Sequence, residues 1–231
     1  MMSIKKEYIG SGIVLVIKFR NQRYYALVKR TRGPGVRCPD THSGFFGGTD
    51  NIEERKIPLL AGCREAYEEV MILNKENRKA AFIILDKKCI DGDKKKNFEK
   101  ESRRLIKEWK GKIDISNDFS KIKISDKSDI EFKDQHGLKK IWVVEVKLDL
   151  EKNILIDCES TQNGTLLDRQ IDLFEVNRFH TWLSKELVSD LIADYSYKTG
   201  KEIKKEERGF GTKSKINDTL LMAIGKRNSG Q

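Results

Sequence analysis

The chain of 231 residues carries 46 Lys and Arg against 36 Asp and Glu, a formal balance of +10 at neutral pH. Hydrophobic residues make up 38% and charged residues 35%; that is polar, but it leaves enough Val, Ile, Leu, Phe and Trp for a core and excludes a wholly disordered chain. No apolar run approaches the roughly 20 residues of a membrane-spanning helix, and residues 1–7 lack the apolar stretch of a signal peptide, so a cytoplasmic protein with no membrane partner is expected.

At roughly 100–200 residues per domain, the length predicts one elaborated domain over 1–231. Residues 12–18 are mostly β-branched and apolar, and 24–28 follow a polar turn at Asn21 and Gln22, which predicts a strand hairpin. The Gly- and Pro-rich stretch 30–48 predicts a loop closing on Phe45-Phe46-Gly47-Gly48. From Pro58 to about Ile72, Leu59, Cys63, Ala66 and Val70 recur on one helical face, with Pro58 suited to the first turn. Residues 80–85 and 141–148 read as buried strands. Between them, about 87–140 is dominated by Lys, Asp, Ser and Glu and reads as a Lys-rich insertion; within it 97–110 forms a basic amphipathic helix with Phe98, Leu105, Ile106 and Trp109 as a small core.

Farther on, 174–182 alternates like a strand, and Ser184 suits the N-cap of a helix from Lys185 to about Tyr197. A basic loop at 209–215 precedes an apolar segment, 220–224, able to dock on the core, so 185–231 forms a C-terminal helical and basic extension. Strands alternating with a helix in this way imply an α/β fold around a central mixed sheet. Cys38, Cys63, Cys89 and Cys158 form no CxxC pair, which leaves no zinc knuckle or redox pair and predicts reduced structural thiols.

The helix at 58–72 concentrates negative charge. Glu65, Glu68 and Glu69 fall within roughly 100° of one another, because residues three and four apart are neighbours at 3.6 residues per turn. The apolar stripe lies opposite, and Arg64 is the nearby cation on the same helix. A hard divalent ion, Mg²⁺ or Mn²⁺, is the natural counter-charge, since it prefers carboxylate oxygens and keeps waters that phosphates can replace. A solvated acidic face is the alternative. Gly47-Gly48 just upstream tips the balance, since glycine lets backbone approach a metal or a phosphate closely.

Gly48, five residues, Glu54, and then Arg64-Glu65-Ala66-Tyr67-Glu68-Glu69-Val70-Met71-Ile72 closely resemble the signature of the Nudix hydrolases. That pattern is Gly, five residues, Glu, seven residues, Arg-Glu, an aliphatic residue, any residue, Glu-Glu, any residue, Gly and an aliphatic residue. Phe45-Phe46-Gly47-Gly48 is similar to its aromatic-x-Pro-Gly-Gly lead-in. The chain departs at three points: nine residues separate Glu54 from Arg64, Met71 stands in place of Gly, and Phe46 in place of Pro. The extra pair falls ahead of the helix, and Met71 implies a helix that runs on through Ile72 or Leu73.

The resemblance implies an α/β/α sandwich and Mg²⁺- or Mn²⁺-dependent hydrolysis of a nucleoside diphosphate linked to another group. Glu65, Glu68 and Glu69 would hold the ions with a carbonyl from the Gly48 region, and Glu69 is the leading candidate. Gly47 and Glu54 would be structural. Arg64 would orient the glutamates and pair with Glu54, or with Glu53 across the longer spacing. The general base would be one of these glutamates or an acid from a later loop, with Glu175 the nominee. Arg30, Arg32 and Arg37 precede the signature and would reach phosphates bidentately. His42, His136 and His180 form no spaced set, although His42 lies near the signature. Lys94-Lys95-Lys96, Arg103-Arg104, Lys213 and Lys215 favour a polyanion such as an RNA 5′ end, with small nucleotides equally admissible. A catalytically silent Nudix-like module that binds nucleotide or RNA is the alternative function.

Overall fold

The computed structural model describes residues 6–30, 41–85, 100, 114–116, 124–134, 136–158, 170–181, 216–217, 219–221 and 223–224. Among them the order is β1 (Gly10–Phe19), β2 (Gln22–Lys29), β3 (His42–Ser43), β4 (Phe45–Gly48), α1 (Ile52–Lys56), α2 (Pro58–Glu69), β5 (Val70–Asn74), β6 (Lys79–Phe82), β7 (Asp114–Ser116), β8 (Ile124–Asp134), β9 (Gly137–Lys147), β10 (Asn153–Asp157) and β11 (Asp172–Glu175). The class is mixed α/β with a central mixed sheet. Arg32 and Arg37, the helices expected at 97–110 and 185–197, and the clusters Lys94–96, Arg103–104, Lys213 and Lys215 all lie outside the described residues.

The expected hairpin is β1–β2, turning at Arg20 in the left-handed region (φ 54). It opens a sheet ordered β11-β2-β1-β9-β8, in which β9 runs parallel to β1 over its whole length. On the other edge of β1 the partner changes. β2 pairs with Leu15 to Phe19, and β4 pairs with Gly10 to Ile13. The end of the Gly-rich stretch is therefore strand where loop was expected, because its backbone completes the ladder that β2 leaves open and its Phe45 is fully buried.

Alternation along β1 sends side chains to two layers. Ile13, Leu15 and Ile17 pack with Ala66 of α2, while Val14 and Val16 pack with Phe179, Leu220, Ala223 and Ile224. The C-terminal apolar segment thus docks on the core as expected. It is held there by Asn217, whose N–H donates to His42 O at 2.8 Å and whose side chain caps the N–H of Thr219 at 2.9 Å.

Three further expectations are corrected. α2 stops at Glu69, and Val70-Met71-Ile72-Leu73 are the buried start of β5, in a second sheet ordered β10-β5-β6-β7; a short apolar run fits a buried strand and a helix equally. Residues 124–134 of the supposed insertion form β8, paired with β9, and 114–116 form β7 beside β6. β8 is an edge strand whose Lys127, Asp129 and Lys133 face solvent, which hid its strand character. The strand expected at 174–182 ends at Glu175, and 176–181 is helical. Its first N–H groups, from Asn177 and Arg178, donate to the Glu175 carboxylate at 3.0 and 2.9 Å.

α2 crosses β1 closely because both carry glycine at the crossing. A Cβ on Gly62 would lie 3.1 Å from the Gly12 carbonyl, and one on Gly12 would lie 2.5 Å from Phe45 O and 2.1 Å from the Phe46 ring. Gly12→Ala should therefore destabilise the fold by about 1–3 kcal/mol, as overpacking does. Gly48→Ala, whose Cβ meets only Ile9 O at 3.9 Å, should stay within about 0.5 kcal/mol of wild type in urea unfolding.

Candidate metal and phosphate site

The site begins with a capping arrangement. Asn51 is the N-cap of α1 and its side chain accepts the Glu54 N–H at 2.9 Å, while the Glu54 carboxylate reaches back to the Asp50 N–H at 2.7 Å. This is the reciprocal exchange of a capping box, shifted by one residue at its second bond. α1 closes at Ile57, which also precedes Pro58 at the start of α2. Between Glu54 and Arg64 the chain completes α1 at Lys56 and begins α2 at Pro58, so Arg64 to Glu69 lie on one uninterrupted helix. The Asn51-x-x-Glu54 spacing was the sequence signal for α1.

Capping leaves Glu54 aimed at Arg64. Arg64 Nε donates to Glu54 Oε1 at 2.9 Å and Nη2 to Glu54 Oε2 at 3.3 Å. Glu54 is therefore the partner, and Glu53 is exposed. The same guanidinium donates to Glu68 Oε2 at 3.1 Å and to Gly48 O at 2.9 Å, and its Nη1 lies 2.7 Å from Glu65 Oε1. Asp50, a residue that no motif singled out, brings Oδ2 to 3.5 Å from Nε.

Arg64 is 6% exposed, Glu54 6% and Glu65 9%, while Glu68 and Glu69 are half-buried, so the acidic face is not the fully solvated surface that a one-sided stripe implies. α2 lies between two layers: Ala66 packs on the large sheet, and Tyr67 against Phe82 of the small one. Burial opposes the charge on Arg64, but the hydrogen bond to Glu54 and the charges of Glu65, Glu54 and Glu68 together raise its pKa above the ordinary arginine value. Gly47 lies directly beneath Glu65. A Cβ there would fall 2.0 Å from Glu65 Oε1, so only glycine lets that carboxylate lie flat on the strand.

The donor set suits a hard cation. Among the described residues, Asp50, Glu54, Glu65 and Glu68 gather around the Arg64 guanidinium. The last turn of α2 contains no basic residue and ends in Glu68 and Glu69, at the helix end where the backbone dipole favours cations. Clustered carboxylate oxygens are what Mg²⁺ or Mn²⁺ takes. Among the described residues no three His, Cys, Asp or Glu side chains close into a ready-made cage, because Arg64 already engages Glu65, Glu68 and the Gly48 carbonyl.

The remaining candidates lie elsewhere. Glu175 registers with Tyr24, which registers with Ile17, seven residues along β1 from the Gly10 that faces Gly48. At about 3.3 Å per residue that is roughly 23 Å along the sheet. With its carboxylate also capping 176–181, Glu175 is not brought to the glutamates. Arg30 follows β2 at the sheet end where β3 and β4 begin, its N–H donating to Thr41 O at 2.8 Å. His42 Nε2 lies 2.7 Å from Asp172 Oδ2, and His180 Nε2 lies 2.9 Å from the Tyr25 hydroxyl, so neither joins the acidic face.

Removing the guanidinium leaves buried carboxylates without their counter-charge. Arg64→Met should cost about 3–5 kcal/mol in urea unfolding. Arg64→Lys should fall in between, since a point charge cannot serve Glu54, Glu68 and the Gly48 carbonyl at once. An Arg64→Met variant as stable as wild type would contradict the clamp.

No family model and no curated protein matches the chain. Solved structures do. It is similar to a Nudix hydrolase from M. smegmatis, RenU, at 9% identity over 74% of this chain and 72% of that one, with a TM-score of 0.33. It is similar to a C. elegans Ap4A hydrolase at 12% identity over 84% and 99% of the two chains, with a TM-score of 0.34. A binary complex of a C. elegans Ap4A hydrolase matches at 11% identity over 72% and 77%, with a TM-score of 0.30. Likeness at this level places no residue of this chain opposite a residue of theirs.

Proposed function

We propose that this chain is a Nudix-type pyrophosphohydrolase that uses Mg²⁺ or Mn²⁺ to cleave a nucleoside diphosphate linked to another group. The observation that carries this reading is the Arg64 clamp. One buried guanidinium ties Glu54, Glu65, Glu68 and the Gly48 carbonyl together, in the order that the Nudix-like motif implies and despite its longer spacing.

Glu65, Glu68 and Glu69 with the Gly48 carbonyl would hold the ion, which when bound neutralises phosphate charge and acidifies a water. The chain's own part is positioning. Glu54 fixes the guanidinium from one side, and Arg64 restrains the rotamers of Glu65 and Glu68 from the other. Glu69, the last residue of α2, would take the ion or a proton of the attacking water. Arg30, at the same end of the sheet, would meet the phosphates. Glu175 has no part, and a base would come from the α2 glutamates. A small nucleotide and an RNA 5′ end are both admissible as the substrate, and a substrate panel distinguishes them.

A panel of nucleoside diphosphate derivatives assayed with Mg²⁺ or Mn²⁺ tests the proposal. Turnover should require the ion, and Glu69→Gln should lower kcat/KM by at least about 100-fold, the upper end of what outer-shell partners of a metal site cost. Mn²⁺ at about 100 times its Kd should stabilise wild type by roughly 2.7 kcal/mol and leave Glu69→Gln nearly unmoved. Stabilisation without turnover on any substrate would support a silent binding module instead.

A further inference from the structure

Residues 6–9 precede β1 and belong to none of the motifs, yet they join the β8–β9 hairpin to the segment that carries α1. On one side, Ile9 N–H donates to Leu138 O at 2.9 Å, the Tyr8 hydroxyl donates to Glu131 Oε2 at 2.5 Å, and Lys6 Nζ donates to Glu131 Oε1 at 2.7 Å. These bonds anchor the segment on the β8–β9 hairpin. On the other side, Tyr8 N–H donates to Arg55 O at 3.1 Å, the Thr49 hydroxyl donates to Tyr8 O at 3.0 Å, and Thr49 N–H donates to Ile9 O at 3.3 Å.

Thr49 and Arg55 bracket the segment that presents the Asp50 N–H and the Glu54 carboxylate, and Thr49 adjoins the Gly48 carbonyl. α1 has five residues, far below the roughly 12–15 at which an isolated helix becomes even marginal, so its geometry depends on what holds its ends.

We propose that residues 6–9 are a positioning strap, with Tyr8 and Glu131 as positioning residues that hold the Glu54 arm against Arg64. The strap fixes both ends of 49–55, and through Glu54 it sets the direction in which the guanidinium faces the α2 glutamates. Burial and the neighbouring Glu131 push the Tyr8 hydroxyl up to about 12, and hydrogen bonds from Lys6 and Tyr8 hold Glu131 below the usual carboxylate range. Donor and acceptor therefore keep their states across the neutral range. What the strap positions for rests on the function proposed above; the strap itself is testable without turnover.

Tyr8→Phe keeps the buried ring and removes only the hydroxyl. In hydrogen exchange on the full metal-free chain, the amides of Asp50, Glu54, Arg55 and Ile57 should exchange about tenfold faster, in keeping with loss of a hydrogen bond to a charged acceptor, while β5 and β6 are unchanged. Glu131→Ala should behave like Tyr8→Phe. Glu131→Gln, whose side-chain oxygen still accepts from Tyr8, should restore protection. Exchange that rises equally in β5 and β6, or does not rise in α1, overturns the strap. Mn²⁺ titration of wild type distinguishes the two readings: absence of binding removes the metal-dependent function and leaves the strap standing on the exchange pattern.

Discussion

A single buried guanidinium holds this site together. Arg64 sits where the end of β4, the short helix α1 and the long helix α2 converge, and it bonds to a backbone carbonyl or carboxylate from each. In a low-dielectric setting such a group is stable only if its donors are satisfied, and the planar fork of arginine satisfies several acceptors at once. Its acceptors include the carboxylates of Glu54, Glu65 and Glu68, so the acidic side chains of α1 and α2 are gathered at one place. That clustering of carboxylate oxygens is the electrostatic basis for the proposed metal site.

The departures from the Nudix-like pattern are accommodated by particular local structures. The longer connection before Arg64 contains the end of α1 and the start of α2, and the capping exchange around Asn51 and Glu54 makes its first part a defined arm. Met71 needs no left-handed backbone, because the chain enters β5 in extended conformation at Val70 (φ −129, ψ 137) and buries Met71 in the second sheet. Phe46 stands in a strand whose partner is β1, where a proline would remove a backbone donor.

The sheet explains why the site lies at one end of the molecule's central layer. β4 replaces β2 along one edge of β1, which brings Gly47 and Gly48 beneath the acidic face of α2. On the opposite layer, Leu220, Ala223 and Ile224 cover Val14 and Val16. Residues 6–9 add the third restraint, tying the arm that carries Glu54 to the hairpin β8–β9.

The hairpin β1–β2, the strands at 80–82 and 141–147 and most of α2 were legible in the sequence, because each carries its own periodicity or turn residues. So was the placing of Glu65 and Glu68 beside Arg64, since helical spacing alone decides which side chains neighbour one another. The choice of Glu54 over Glu53, the partial burial of the acidic face, the splitting of the strands into two sheets and the distance of Glu175 were decided only by tertiary structure. Each depends on which segments, far apart in the chain, come to lie against one another, and local pattern carries no record of that. Val70 to Leu73 shows the limit most plainly: four apolar residues fit helix or strand equally, and pairing with β6 and β10 selects the strand.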